Sequence, residues 1–137
     1  MTETTVFDGR VVPRVTYLEL GEAVAFLSAA FGFEEDIDAR QLDDAGVLLL
    51  TEMRIGDAHI LLGRSGNHGQ VSPAEIDGRN SAMLIVYVTD ARAHLARAEA
   101  AGARVVLPLN DAPWGERRYE ALDSEGHRWA FHQTLAE

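Results

Sequence analysis

The sequence predicts an α+β fold in which two βαβββ halves follow one another and form a concave mixed β-sheet trough. Three observations indicate this duplication. Both halves show the same order of strand, helix and three strands. AAFGFEE around Gly32 is similar to AAGARV around Gly102, and both follow a helical pattern. The distance from the first strand to that glycine is nearly equal, from Val12 to Gly32 and from Met83 to Gly102.

The first half, residues 11–63, begins with a β-branched and aromatic strand. Its helix is predicted from apolar residues at helical spacing and ends at Gly32, since glycine is the residue that most often ends helices. Two turns separate the three strands that follow. The predicted strands are 11–18, 36–42, 47–55 and 58–62, the helix is 21–31, and a short edge strand is predicted at 5–7.

A segment rich in Gly, Ser, Asn and Pro, residues 64–80, links the halves, and we expect a single domain over 1–137. In the second half, residues 82–133, Asp90 is predicted to cap a helix that Gly102 ends. His94 is expected on the exposed face of that helix. The predicted strands are 82–88, 104–107, 119–122 and 128–133, and the helix is 91–101.

The last two strands form a hairpin whose faces follow from its loop. A loop at 124–127 would place Leu122 opposite Trp129 and Tyr119 opposite His132. The buried face would then hold Leu122, Trp129 and Phe131. The other face, where a ligand is expected, would hold Tyr119, Ala121, Arg128, Ala130 and His132.

Composition excludes several function classes. The net charge of −10 argues against nucleic acid, because phosphate binding requires a basic face. The absence of cysteine excludes disulfides, thiolate catalysis and Cys-zinc sites. No apolar run reaches the roughly 20 residues that span a membrane, and the N-terminus lacks the pattern of a signal peptide. We therefore expect a cytoplasmic protein with a small-molecule partner.

The duplication, FGFEE, AAGARV and RRYEALDSEGHRWAF together resemble the vicinal oxygen chelate superfamily of glyoxalases, bleomycin-resistance proteins and extradiol dioxygenases, over about residues 11–133. The resemblance implies a homodimer with two equivalent troughs, and the linker would permit exchange of halves between subunits. It also implies four metal ligands on the first and last strands of each half. Aligned on Asp90 and on DSEGHRWA, those positions fall on Met83 and Ala130, and in the first half near Val12 and Leu61. These side chains cannot ligate a divalent metal, so no metal and no cofactor are expected.

Side-chain alternation from those positions gives the candidate ligand-binding set. Trp114 is added because it lies in a loop between Pro113 and Gly115, and Arg118 because an arginine can clamp a carboxylate. The set is Arg14, Thr16, Glu52, His59, Tyr87, Trp114, Arg118, Tyr119 and His132. Alternatively, Arg14, Glu52, Arg54 and His59 form a charge network on a dimer surface, and both tyrosines serve packing.

Three functions remain open at this stage. The first is a metal-independent protein of the bleomycin-resistance type that sequesters a cationic or aromatic compound. The second is a glyoxalase-like lyase or isomerase with a non-standard metal site that recruits His59, Glu52 or His132. The third is a dimeric module without a ligand. The sequence names no catalytic residue and does not decide whether a reaction is catalysed.

Overall fold

The computed structural model describes residues 6–136, which form two four-stranded sheets and two helices. The first half contains β1 (Arg14–Tyr17), α1 (Leu20–Phe26), which continues as a π-helical segment (Leu27–Phe31), β2 (Glu34–Leu42), β3 (Leu48–Ile55) and β4 (Ala58–Arg64). A short 3₁₀ turn (Pro73–Glu75) lies in the linker. The second half contains β5 (Leu84–Tyr87), α2 (Ala91–Ala100), β6 (Arg104–Ala112), β7 (Glu116–Leu122) and β8 (Arg128–Thr134).

The two sheets have the same topology, which confirms the predicted duplication. The first has the order β1-β4-β3-β2 and the second β5-β8-β7-β6. In each, the first strand of the half pairs in parallel with the last, and the other pairs are antiparallel. Of the edge strand expected at 5–7, Thr5 lies outside the described residues, and Val6 and Phe7 form no strand. No helix in residues 6–136 is long and apolar enough to cross a membrane.

The ends of the helices follow the sequence signals. Gly32 has a φ of 84°, a left-handed conformation that favours glycine, and it ends the π-helical segment. Asp90 caps α2 by accepting a hydrogen bond from the Ala93 amide over 3.0 Å. The Arg97 guanidinium donates to the carbonyls of Ala29 and Ser28 over 3.0 and 2.9 Å. The second helix therefore satisfies carbonyl groups at the end of the first.

One hydrophobic core joins the two halves. The Phe31 ring lies 4.7 Å from the Phe131 ring and 5.9 Å from Trp129, measured between centroids. The side of each sheet that faces this core is called its core side here, and the opposite side its free face. Core-side residues alternate along each strand with free-face residues, as the pleat requires.

His94 belongs to this core, so its predicted exposure is wrong. Its Nε2 donates to the Phe31 carbonyl over 2.9 Å, and its Nδ1 accepts from the Tyr119 hydroxyl over 2.5 Å. Burial lowers the pKa of His94, with a smaller opposing effect from the hydrogen bond to Phe31. Burial likewise raises the pKa of Tyr119 well above its ordinary value. Both groups are therefore neutral and serve the contact between the halves.

The β7–β8 hairpin differs from its predicted register by one residue. The Asp123 amide donates to the His127 carbonyl over 2.9 Å and closes a five-residue loop, so Leu122 pairs with Arg128 and Tyr119 with Phe131. A shift of one residue reverses the faces of a strand. Trp129 and Phe131 are buried as predicted, whereas Tyr119 and Ala121 lie on the core side and not on the free face.

The hairpin loop also links the halves. The buried Asp123 carboxylate accepts hydrogen bonds from the Tyr17 hydroxyl over 2.5 Å and from the Trp129 indole over 3.0 Å. Burial, and secondly the negative charge of Asp123, raise the pKa of Tyr17. Glu125 accepts from the amides of Leu18 and Glu19, both over 2.8 Å, just before α1. The second half thus holds the start of the first helix in place.

Candidate functional site

The free face of the second sheet gathers aromatic side chains around one carboxylate. Glu116 Oε1 accepts a hydrogen bond from the Trp114 indole over 2.8 Å and lies 3.1 Å from Nδ1 of His132. The Tyr87 hydroxyl also interacts with Glu116, which raises the pKa of Tyr87. β7 supplies Glu116, β5 supplies Tyr87 and β8 supplies His132, while Trp114 lies in the β6–β7 turn.

Two aromatic rings at this carboxylate are open to solvent. Tyr87 and Trp114 are each 61% exposed, although both are large apolar side chains. The Tyr87 ring meets the His132 ring edge-on, with centroids 5.7 Å apart. The Arg118 guanidinium lies 4.9 Å from the centroid of the Trp114 ring, a cation–π contact that covers one face of the indole. We call Tyr87, Trp114, Glu116, Arg118 and His132 the Glu116 site.

The electrostatics of the Glu116 site favour a stable negative charge. The hydrogen bond from Tyr87 is the largest effect that lowers the pKa of Glu116, followed by the hydrogen bond from Trp114. The same contact to Glu116 raises the pKa of Tyr87. Glu116 is thus a carboxylate at neutral pH and Tyr87 a neutral donor.

His132 completes the site with an unused nitrogen. A carboxylate accepts only, so Nδ1 of His132 carries a proton toward Glu116. The residue is only 6% exposed, and its Nε2 has no hydrogen-bond partner among residues 6–136. Nε2 is itself enclosed by the fold, so a ligand on this face would contact the aromatic rings and Glu116 and not this nitrogen.

The free face of the first sheet carries different polar groups. Glu52 lies opposite Leu61 and Arg54 lies opposite His59 on the antiparallel pair β3 and β4. His59 Nδ1 and Glu52 Oε1 are 2.7 Å apart, while Arg54 contacts Glu34 over 3.4 Å. Glu52 and His59 border a cleft of about 320 Å³.

Arg14 lies apart from those charge pairs. Its Nη1 donates to the side-chain oxygen of Gln70 over 2.7 Å, and the Thr16 hydroxyl donates to the same oxygen over 2.9 Å. The alternative of one charge network over Arg14, Glu52, Arg54 and His59 therefore does not describe this face.

The structure brings together four of the nine predicted residues and separates the others. Tyr87, Trp114, Arg118 and His132 meet in the Glu116 site. Arg14 and Thr16 meet at Gln70, and Glu52 and His59 form a pair. Tyr119 is fully buried on the core side. Glu116 and Gln70 were not predicted. Glu116 would have followed from its alternation with Arg118 along β7, whereas nothing local marks Gln70 in the linker.

The residues present do not fit the metal that the resemblance implies. The carried-over positions Val12, Leu61, Met83 and Ala130 hold no ligand atom suited to a divalent cation. Across residues 6–136, no three His, Cys, Asp or Glu side chains form a group that could hold a metal ion. Ala130 lies opposite Glu120, but that carboxylate contacts Arg128 Nε over 2.6 Å.

Comparison with known families decides the classification. The profile of the Glyoxalase/Bleomycin resistance protein/Dioxygenase superfamily matches residues 14–131, nearly the whole described chain. The chain belongs to this superfamily. The superfamily hosts several activities on one fold, so the fold alone does not assign a reaction.

Solved structures of the superfamily share this architecture. TioX from Micromonospora sp. ML1 is 29% identical, with a TM-score of 0.73 over 94% of this chain and 98% of TioX. TnmS3, an antibiotic-binding protein from Streptomyces sp. CB03234, is 19% identical, with a TM-score of 0.72 over 96% and 99% of the two chains. The fosfomycin resistance protein FosX from Listeria monocytogenes, in complex with Mn(II), is 16% identical, with a TM-score of 0.69 over 96% and 94%.

One curated relative matches over a shorter segment. The uncharacterized protein Mb0911c of Mycobacterium bovis is 44% identical over 50 residues, which are 36% of this chain and 33% of the relative. The chain thus matches about a third of that relative's length.

Proposed function

We propose that this chain is a metal-independent small-molecule-binding protein of the superfamily, which sequesters an aromatic, cationic compound at the Glu116 site. The observation that carries the proposal is the meeting of two exposed aromatic rings, Tyr87 and Trp114, on one carboxylate. Exposed apolar surface rimmed by polar groups marks an interaction or ligand-binding site.

The aromatic rings select a flat, apolar part of the ligand. Tyr87 and Trp114 keep most of their surface in water, and covering that surface with an aromatic ring gains hydrophobic and stacking energy. The Trp114 ring is already held by its hydrogen bond to Glu116, and the Tyr87 ring by its edge-on contact with His132. Little conformational entropy is then lost on binding.

The polar atoms select the charge and the hydrogen bonds of the ligand. Glu116 supplies a carboxylate on the free face. A carboxylate favours a ligand that carries an N–H donor and a positive charge. The net charge of −10 attracts such a cation over a longer range.

The chemistry of the donor set supports metal independence. The alternative of a lyase or isomerase requires Glu52, His59 or His132 to gather around a metal ion. Glu52 and His59 pair on the first sheet, whereas His132 pairs with Glu116 on the second. No feature of the described residues favours that alternative over binding.

The relatives support the same class of function. TnmS3 is an antibiotic-binding protein with this fold, whereas FosX, a fosfomycin resistance protein, is in complex with Mn(II). A cytoplasmic homodimer with two equivalent sites is part of the proposal. The exposure of the apolar side chains Met83 and Ile85, beside and on the edge strand β5, is consistent with a second copy nearby.

Isothermal titration calorimetry with a matched pair of compounds tests the proposal. Proflavine is a planar aromatic cation with N–H donors, and acridine has the same ring system without charge at neutral pH. We expect saturable binding of proflavine and weaker binding of acridine. In Glu116→Gln, the affinity for proflavine should fall by about tenfold. Glu22→Gln, which removes the same charge from an exposed position on α1, is the control. Equal affinity in both variants would contradict the proposed site.

A further inference from the structure

A cleft elsewhere in the fold is lined by arginines, whereas the Glu116 site is built around a carboxylate. It encloses about 390 Å³ between β1, the linker and the start of β8. Arg14, Arg79 and Arg128 all line it, with the amide side chains of Gln70 and Asn80. No acidic residue of the described chain lines this cleft, although 22 of the 137 residues are Asp or Glu. An acid-free arginine cleft on such an acidic chain requires an explanation.

Arg14 is held in a fixed position in this cleft. Its Nη1 contacts the oxygens of Gln70 and Thr16 at 2.7 and 3.2 Å. The guanidinium also lies flat on Gly63 of β4, where a Cβ atom would come within 2.1 Å of Nη2. Glycine at this position therefore makes room for the arginine. No carboxylate of residues 6–136 forms an ion pair with Arg14, and its hydrogen-bond partners are neutral. Its positive charge is therefore not compensated within this range.

The other two arginines differ in whether a carboxylate compensates their charge. Arg79 donates its Nε to the Ile76 carbonyl over 3.1 Å and has no carboxylate partner in the described chain. Arg128 is paired with Glu120 at 2.6 Å. The uncompensated charge of the cleft thus comes from Arg14 and Arg79.

We propose that this cleft binds a small organic anion, a carboxylate or a phosphate monoester. A guanidinium presents paired N–H donors that match the oxygens of either group. Val71 and Leu84 also line the cleft, and Val71 is exposed, so an apolar body attached to the anion has surface to contact. The arginines and amides select the oxyanion, and the apolar residues select an organic ligand over a free inorganic ion.

The cleft is separate from the Glu116 site in chemistry and in the residues that form it. Arg128 and His132 are four residues apart on β8, which is about 13 Å along an extended strand. An anion would avoid the Glu116 carboxylate and a cation would avoid Arg14. The two proposals can therefore fail or succeed independently.

Calorimetric titration with benzoate, phenyl phosphate, inorganic phosphate and benzamide tests this cleft. Benzamide is the uncharged counterpart of benzoate, and comparing benzoate with phenyl phosphate distinguishes a carboxylate from a phosphate ligand. We expect saturable binding of one or both organic anions, weaker binding of inorganic phosphate and no saturable binding of benzamide. Arg14→Gln and Arg79→Gln should each lower the affinity for the organic anion by about tenfold.

Two further variants make the result decisive. Gly63→Ala keeps every charge but displaces the Arg14 guanidinium, so it should weaken binding of the anion. The backbone of Gly63 is not left-handed, so alanine causes no backbone strain there. Arg104→Gln removes one charge from an exposed position on β6 and should leave binding unchanged. Thermal unfolding of each variant checks that it is folded. Absence of saturable anion binding, or equal affinity in wild type, Arg14→Gln and Gly63→Ala, would overturn the proposal.

Discussion

The indole Nε1 of Trp114 donates a hydrogen bond to Oε1 of Glu116 over 2.8 Å. Only Gly115 separates these two residues, and its φ of 93° is a left-handed conformation suited to glycine. The turn between β6 and β7 therefore fixes an exposed indole against the carboxylate that begins β7. The ring is oriented before any ligand arrives.

Replacement of Trp114 tests the contribution of this ring to binding. Trp114→Ala should lower the affinity for proflavine by about tenfold, because it removes a stacking surface and one donor to Glu116. Trp114→Phe keeps a ring but loses the N–H, so its affinity for proflavine should lie between those of wild type and Trp114→Ala. Calorimetry of the three proteins measures this order, and an unchanged affinity in Trp114→Ala would remove Trp114 from the site.

Asp123 should be the most costly single loss for stability in the β7–β8 loop. Asp123→Ala leaves the buried hydroxyl of Tyr17 and the indole N–H of Trp129 without an acceptor. We expect the free energy of unfolding in urea to fall by about 3 kcal/mol. Tyr17→Phe should cost about 1 kcal/mol in the wild type and almost nothing in Asp123→Ala. Equal costs in both backgrounds would show that the two residues are not coupled.

His94 should make stability depend on pH in the mildly acidic range. Its pKa is lowered in the folded protein from the ordinary value of 6.5, chiefly by burial. The unfolded chain therefore binds more protons than the folded one just below that pH. Its contribution to stability is complete above 6.5 and is lost as the pH falls through the lower folded value. Thermal unfolding across this range should show a steeper decline in wild type than in His94→Gln, and parallel curves would refute the assignment.

Arg97 should stabilise the end of the first helix across the boundary between the halves. Arg97→Ala removes the hydrogen bonds to the carbonyls of Ala29 and Ser28. The expected loss in the free energy of unfolding is about 1 kcal/mol, measured in urea. Arg92→Ala, an exposed arginine on the same helix, should change stability by less than about 0.5 kcal/mol. A similar loss in both variants would assign the effect to helix propensity and not to the carbonyl contacts.

Much of the fold follows from local signals in the sequence. The apolar periodicities place all eight strands and both helices, and Gly32 and Gly102 end the helices as predicted. The predicted helix of the first half continues as a π-helical segment, which periodicity does not distinguish from an α-helix. β6 extends to Ala112, because its pairing with β7 continues through residues that resemble a loop.

The candidate site was predicted only in part, because faces depend on register. A loop one residue longer than assumed moved Tyr119 from the free face to the core side. The same shift brings Glu116 onto the free face with Arg118. Long-range partners gave no local signal, so the contact of His94 with Phe31 across the halves and that of Gln70 with Arg14 emerged only from the structure.

The affinity for proflavine after exhaustive chelation tests metal-independent binding at the Glu116 site most directly. Protein treated with a chelator and protein supplied with divalent ions should bind proflavine with the same dissociation constant, and metal analysis should find no stoichiometric ion. Loss of binding on chelation, together with a tightly held divalent ion that disappears when His59 and Glu52 are replaced, would contradict the account.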